Sequence, residues 1–237
     1  MIRLNDPELV RRQYETEAGL AVRRDAWARF HEGPDAFEAA VRAVVEFEPQ
    51  RVLEVGCGMG QFAARLAEEL DAEVVATDLS PRMVELARAR GVDARVADVQ
   101  ELPFDDGEFD CATANWMLYH VPDLQLALRE LARVLGTGGC LVASTVGADH
   151  MAEAWDLVGF RRPQRPFSRE NGEALLRRCF RRVERRDIDA ALVFPDAPSV
   201  HRYLESTIFG EFVHGDIPEF QGPFRSGTKA TVFVAER

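Results

Sequence analysis

Val52-Leu53-Glu54-Val55-Gly56-Cys57-Gly58-Met59-Gly60 is the stretch on which the fold turns. An apolar run from Arg51 to Val55 predicts a short buried strand. Three glycines in five residues predict a tight turn, because glycine lets the backbone bend sharply and approach a ligand with no Cβ in the way. Gln61–Leu70 then carries Phe62, Leu66 and Leu70 at four-residue spacing, which predicts a helix. The same rhythm runs on downstream. Glu73–Thr77 reads as a second strand. Ser80 caps a helix with Pro81 at its first position, running to Arg90 and stopped by Gly91. Ala94–Ala97 and Phe109–Asn115 are the third and fourth strands. Leu124, Ala127, Leu128, Leu131 and Leu135 mark a helix, and Gly136-Thr137-Gly138-Gly139 turns the chain into a fifth strand, Cys140–Thr145. Near-continuous apolar strands alternating with helices predict a parallel sheet covered on both faces.

Outside this core the rhythm loosens. Asp6–Phe30 reads as an amphipathic helical stretch, and Asp35–Phe47 as a helix with Pro34 in its first turn and Pro49 closing it. Further helices are expected near Met151–Val158, Arg169–Arg178 and Ala197–Thr207, and strands near Val183–Phe194 and Thr228–Ala235. Gly210–Gly227 reads as a loop. There is no internal repeat and no low-complexity linker. At 237 residues this is one domain with additions at both ends.

Ligands of such sheets bind at the carboxyl ends of the strands. A dinucleotide would ask for GxGxxG, but the spacing is GxGxG, with Gln61 where the third glycine would stand. Glu54, two residues before the turn, would repel a pyrophosphate and suits a cation. S-adenosylmethionine, with its α-amino group and sulfonium, meets both conditions. Asp78, 22 residues after Gly56, can accept both ribose hydroxyls. Asp98, after the third strand, can meet an adenine amino group.

Five segments in order now resemble a class I S-adenosylmethionine-dependent methyltransferase of the small-molecule type. They are VLEVGCGMG (52–60), VVATDLSPRMVELAR (74–88), VADVQELPF (96–104), FDCATANWMLYHVPD (109–123) and RVLGTGGCLVAS (133–144). Gly136-Thr137 departs from the family's usual Arg-Pro, in a turn away from the cofactor. The resemblance implies a Rossmann-like, doubly wound, mostly parallel seven-stranded sheet with an antiparallel last strand. It implies S-adenosyl-L-methionine as cofactor and S-adenosyl-L-homocysteine as product. Gly56, Cys57, Gly58 and Gly60 would line the methionine and ribose side, with Glu54 near the amino group. Asp78 would hold the ribose and Leu79 pack on the adenine. Asp98 would take the adenine amino group, the Val99 N–H a ring nitrogen, and the Asn115 carbonyl the methionine amine. Residues 1–50 would cover the site, 51–145 bind the cofactor, and 146–237 supply C-terminal strands, helices and an apolar substrate lid.

Methyl transfer expels a neutral thioether, so a base is needed only for a protonated nucleophile. His120 is the candidate base, since an imidazole titrates near neutrality; the alternative is a structural or orienting role. Tyr14 resembles the N-terminal tyrosine that closes over the cofactor in this superfamily. Trp116 and Tyr119 either wall the acceptor pocket or pack inward. Phe194, Tyr203, Phe209, Phe212, Phe220 and Phe224 are either an apolar lid or a tail packed on the last strands. His201 and His214 lack a third partner and Cys57, Cys111, Cys140 and Cys179 form no CxxC pair, so no metal is expected.

The net charge of −11 argues against a general nucleic-acid binder. It is unevenly spread: residues 1–150 carry −12 and residues 151–237 carry +1. Arg161–Arg186 alone holds ten arginines and three acids, with pairs at 177–178, 181–182 and 185–186 in the rhythm of a helix face. That segment is a solvated face, an attractor of an anionic substrate, or an RNA contact. No signal peptide or membrane span is evident, and a cytoplasmic location is expected. The expectation is a methyltransferase acting on oxygen or nitrogen of a small molecule. An RNA methyltransferase and a non-catalytic S-adenosylmethionine-binding regulator stay as alternatives.

Overall fold

A computed structural model describes residues 3–213 and 217–237. In chain order its elements are α1 (Pro7–Gln13), α2 (Ala18–Phe30), β1 (His31–Glu32), α3 (Ala36–Val45), β2 (Arg51–Val55), α4 (Gln61–Glu69), β3 (Glu73–Asp78), α5 (Pro81–Arg88), β4 (Asp93–Val96) and β5 (Phe109–Asn115). Then follow α6 (Leu124–Val134), β6 (Leu135–Val146), α7 (Ala152–Leu157), α8 (Gly172–Leu176), β7 (Arg182–Phe194), α9 (Ala197–Glu205) and β8 (Phe224–Glu236). The strands form one sheet in the order β1-β7-β8-β6-β5-β2-β3-β4. From β4 to β6 all pairings are parallel, while β8 runs antiparallel to both β6 and β7.

Strand alternation sends Val52 to the face covered by α3 and α4, and Leu53 and Val55 to the face covered by α6 and α8. Both faces are therefore buried, which is why β2 and β5 read as almost unbroken apolar runs. From β2 the chain winds to β3 and β4 on one side. On the other side of β2 lies β5, so the order reverses between β2 and β5, where a doubly wound sheet leaves a crevice.

Several expectations need correction. The sheet has eight strands, not seven. The eighth is β1, which pairs with Leu192 and Ala191 of β7; two residues are too short for any period to show. The N-terminal helical stretch is broken at Tyr14–Glu17, where the Tyr14 carbonyl accepts from Ser80 Oγ at 3.0 Å. Asp35, not Pro34, opens α3: its side chain accepts from the Phe37 N–H at 2.7 Å. β8 begins at Phe224, because the long β7 pairs residues 224–227 that have no apolar alternation of their own.

The arginine pairs are no helix face. Arg182, Arg185 and Arg186 lie on β7, and four-residue spacing was a coincidence of sequence. Arg186 pairs with Glu46 and Glu184, Arg185 with Asp187, Arg181 with Glu236, and Arg177 with Glu173. The six aromatics of residues 194–224 pack with Leu4, Ala26, Trp27 and Trp155 into a third core joining α2, α7 and α9. Of the expected histidine pair, His201 contacts Glu205 at 3.1 Å, and His214 lies outside the described residues. Among the described residues no helix is long and apolar enough to cross a membrane.

Candidate active site

The glycine turn joins β2 to α4 at the crevice. Gly60 opens α4 with φ +78°, and a Cβ there would meet the Ala87 Cβ at 2.7 Å, so only glycine lets α4 and α5 close up. Gly58, with φ +52°, is different: a Cβ would meet only Leu20, at 3.8 Å. This is the open side of the cradle. The Gly58 N–H donates to Asp78 Oδ2 and the Ser80 N–H to Asp78 Oδ1, both at 2.8 Å. Asp78 is thus fixed at the end of β3 directly across from the turn. Cys57 and Met59 are buried, and the Cys57 N–H donates to the Thr77 carbonyl.

Glu54 is 2% exposed, and its Oε2 has no hydrogen-bond partner. Burial pushes its carboxyl up to about 8, with the Asp78 charge adding to the rise. On β5, register places Thr113 beside Glu54, and Thr113 Oγ1 and Asn115 Nδ2 are likewise buried and unpartnered. Asn115 Oδ1 accepts from Ser144 Oγ at 2.6 Å, so that amide is held but half-used. Buried polar atoms are nearly always paired, so three orphans on two neighbouring strands mark a place where a polar ligand belongs. Farther along the edge, Leu79 is 62% exposed at the end of β3, an apolar surface offered to a flat ring. Asp98 accepts from the Gln100 N–H at 2.8 Å and from Gln100 Nε2, beside the buried Val99.

Across the crevice, Tyr14 Oη and His120 Nε2 are 3.0 Å apart, and His120 Nδ1 is 3.0 Å from the Leu4 carbonyl. A carbonyl only accepts, so Nδ1 carries the proton and Nε2 accepts from the tyrosine hydroxyl. Burial, with Arg23 and Arg165 adding repulsion, pushes the His120 imidazole down to about 4. It is neutral at pH 7. The Tyr119 ring stands edge-on to His120 at 4.5 Å between centroids, and the Arg165 guanidinium lies 5.9 Å from the Tyr119 ring centre. Trp116, in a left-handed conformation with φ +54°, packs instead on the core under α3 and α4.

The sequence model for the methyltransferase-domain family matches residues 53–143. A ubiquinone biosynthesis O-methyltransferase of Xanthomonas oryzae is 40% identical over 126 residues, which are 50% of this chain and 52% of that protein. A malonyl-[acyl-carrier protein] O-methyltransferase of Legionella pneumophila is 38% identical over 120 residues, 47% of this chain and 42% of that one. The chain therefore matches only about half the length of these relatives. A SAM-dependent methyltransferase structure from Thermotoga maritima superposes with a TM-score of 0.60 at 24% identity, over 97% of this chain and 98% of that one. Residues 53–143 thus match a methyltransferase domain, and the whole chain shares the fold of the Thermotoga structure.

The residues that would hold the cofactor of such a domain sit on one edge: Glu54, the Gly56–Gly60 turn, Asp78, Leu79, Asp98 and Asn115. They fit S-adenosylmethionine by their chemistry. The orphaned Glu54 oxygen asks for a cationic donor, and the open face at Gly58 leaves room beside the Asp78 carboxylate. On the acceptor side the fold brings Tyr14 and His120, read separately from sequence, into one hydrogen-bonded pair. Tyr119 joins them and Trp116 does not. Sequence reasoning missed Ser80 as the anchor of the Tyr14 segment, Thr113 beside Glu54, and Arg23 among the charges acting on His120; Arg165 it held only as one member of the arginine run. The mixed apolar run around Thr113 held a faint signal, and Arg23 held none.

Proposed function

We propose that the protein transfers the methyl group of S-adenosylmethionine to an oxygen or nitrogen of a small-molecule acceptor. The observation that carries this reading is the buried Glu54 carboxyl beneath a glycine cradle, with its Oε2 unpartnered. A carboxylate in that place is stabilised by a cation and by little else. Asp78 is set to take the ribose hydroxyls with its remaining lone pairs, and Leu79 and Asp98 to receive the adenine.

S-adenosylmethionine supplies an electrophilic methyl on a sulfonium whose departure as a neutral thioether needs no acid. The protein's work is alignment and exclusion of water, worth up to roughly 7–11 kcal/mol. Tyr14 would close the cleft, its backbone tied to Ser80 at the head of α5. A hydroxyl or ammonium acceptor must also lose a proton. Tyr14 Oη and His120 Nε2 offer a path: Tyr14 takes the acceptor's proton as it passes its own to Nε2. The Leu4 carbonyl holds the ring by Nδ1 throughout.

Calorimetry with S-adenosylhomocysteine is the direct test, with micromolar binding expected. Transfer of tritium from methyl-labelled S-adenosylmethionine into a small-molecule extract is the second. No heat of binding at millimolar ligand would sink the reading.

A further inference from the structure

A cleft of about 380 Å³ opens over Leu4, the residue whose carbonyl meets His120. Arg3, Leu4 and Asn5 form one wall, and the segment around Arg165 forms the other. Its lining contains two arginines and no acid, in a chain whose net charge is −11. Leu4 connects it to the reacting side, because its carbonyl is the partner of His120 Nδ1. Arg165 connects it too, through the Tyr119 ring that contacts His120.

Arg165 is half-buried and has no carboxylate within 4 Å among the described residues. A guanidinium offers five N–H donors. The one hydrogen bond found for the Arg165 guanidinium goes from Nη1 to the Gly147 carbonyl at 3.2 Å. Burial lowers its pKa, an effect that a bonded carboxylate would reverse. Nearby Arg162 spends its donors on the Ala148 and His150 carbonyls and so braces the same loop. The contrast with other arginines of the run is sharp. Arg177, Arg181, Arg185 and Arg186 all have acidic partners, whereas Arg165 sits under cover and unpaired.

We propose that the methyl acceptor carries an anionic head group, a carboxylate or a phosphate, that docks on Arg165 and Arg3 in this cleft. The inference rests on the methyltransferase reading and narrows its substrate class. The planar fork of Arg165 suits two oxygens of either group at once. Binding also acts on the proton path. Arg165 is one of the two cations that hold the His120 imidazole down, with Arg23. An anion seated on Arg165 offsets that repulsion, so the base gains affinity for a proton when the acceptor arrives.

The test uses the full chain at fixed ionic strength, with and without S-adenosylhomocysteine, titrated separately with inorganic phosphate and with succinate. Saturable binding of at least one is expected, and which one binds tells phosphate from carboxylate. Arg165→Gln should weaken it at least ~tenfold, Arg165→Lys less, and Arg181→Gln not at all. The His120 ring, followed by NMR, should titrate at higher pH with the anion bound. Should Arg165→Gln misfold by circular dichroism, Arg3→Gln, at an exposed position, carries the same expectation of weaker binding. Saturation by neither anion, or an unchanged affinity in the folded variants, overturns the proposal. If S-adenosylhomocysteine binds and the anions do not, only the acceptor class falls. If S-adenosylhomocysteine itself fails to bind, the methyltransferase reading falls, and the ligand-free titrations still decide the anion site.

Discussion

The two sides of the crevice are built by opposite rules. The proposed cofactor side is acidic and local in sequence: Glu54, Asp78 and Asp98 each lie at or just past the carboxyl end of a strand, within 45 residues of one another. The proposed acceptor side is basic and aromatic. It is assembled from Leu4, Tyr14 and Arg23 near the N-terminus, Tyr119 and His120 mid-chain, and Arg165 further on. A fixed ligand can be held by short, sequential loops on rigid strand ends. A particular acceptor needs a pocket shaped by whatever covers those ends, and here those residues come from segments far apart in the chain.

The comparison breaks most visibly in pH. Glu54 titrates near 8 when folded against 4.5 unfolded, so the folded state binds the extra proton between those values. Ligand-free stability is full below about 4.5 and is lost as pH rises to about 8, by at most ~5 kcal/mol. Glu54→Gln should flatten that slope in denaturant melts and raise the ligand-free melting temperature at pH 8, while weakening S-adenosylhomocysteine. An unchanged slope would mean that Glu54 is not the strained group.

The acceptor side bends the other way. His120 falls from 6.5 to about 4, so the unfolded chain binds the proton first on acidification. Stability is full above about 6.5 and declines as pH falls towards 4, by up to ~3 kcal/mol. His120→Asn should remove that acid-side loss. Nitrogen NMR should show a proton on Nδ1 and none on Nε2 at pH 7.

Asp78→Ala sharpens the division between the sides. Losing a carboxylate that takes charge-assisted bonds should weaken S-adenosylhomocysteine by about 100-fold, some 3 kcal/mol, in calorimetry. Anion binding at Arg165 should stay within a factor of two. The smallest effect belongs to the surface. Arg186→Ala breaks exposed pairs with Glu46 and Glu184 and should shift stability by no more than ~1 kcal/mol in urea titration. A larger loss would give the β7 arginines a role beyond solvation.

The core was legible because its signals are local. The strand, glycine turn and helix of residues 51–70 coincide with β2 and α4 almost residue for residue, since burial on both faces leaves an apolar run and a helical period that nothing else imitates. The helix at Ser80-Pro81 was written in its cap: Ser80 Oγ accepts from the Met83 N–H, an arrangement worth about 1 kcal/mol. The errors fell where pairing partners decide. β1 exists because β7 offers an edge, and residues 224–227 are a strand because residues 191–194 lie opposite. The arginine pairs mimicked a helix because a four-residue spacing is silent about what the backbone between them hydrogen-bonds to.

By itself, then, the sequence determined a doubly wound sheet and the acids and glycines at its carboxyl edge, because those depend on contacts within a strand–turn–helix unit. Only the tertiary structure decided that Tyr14 meets His120, 106 residues away, that the imidazole proton sits on Nδ1, and that Arg165 has no carboxylate partner while Arg169, Arg185 and Arg186 have one. Charge and hydrogen-bond state depend on what lies within a few ångströms in space. For a site assembled from distant segments of a chain, no period or spacing records that.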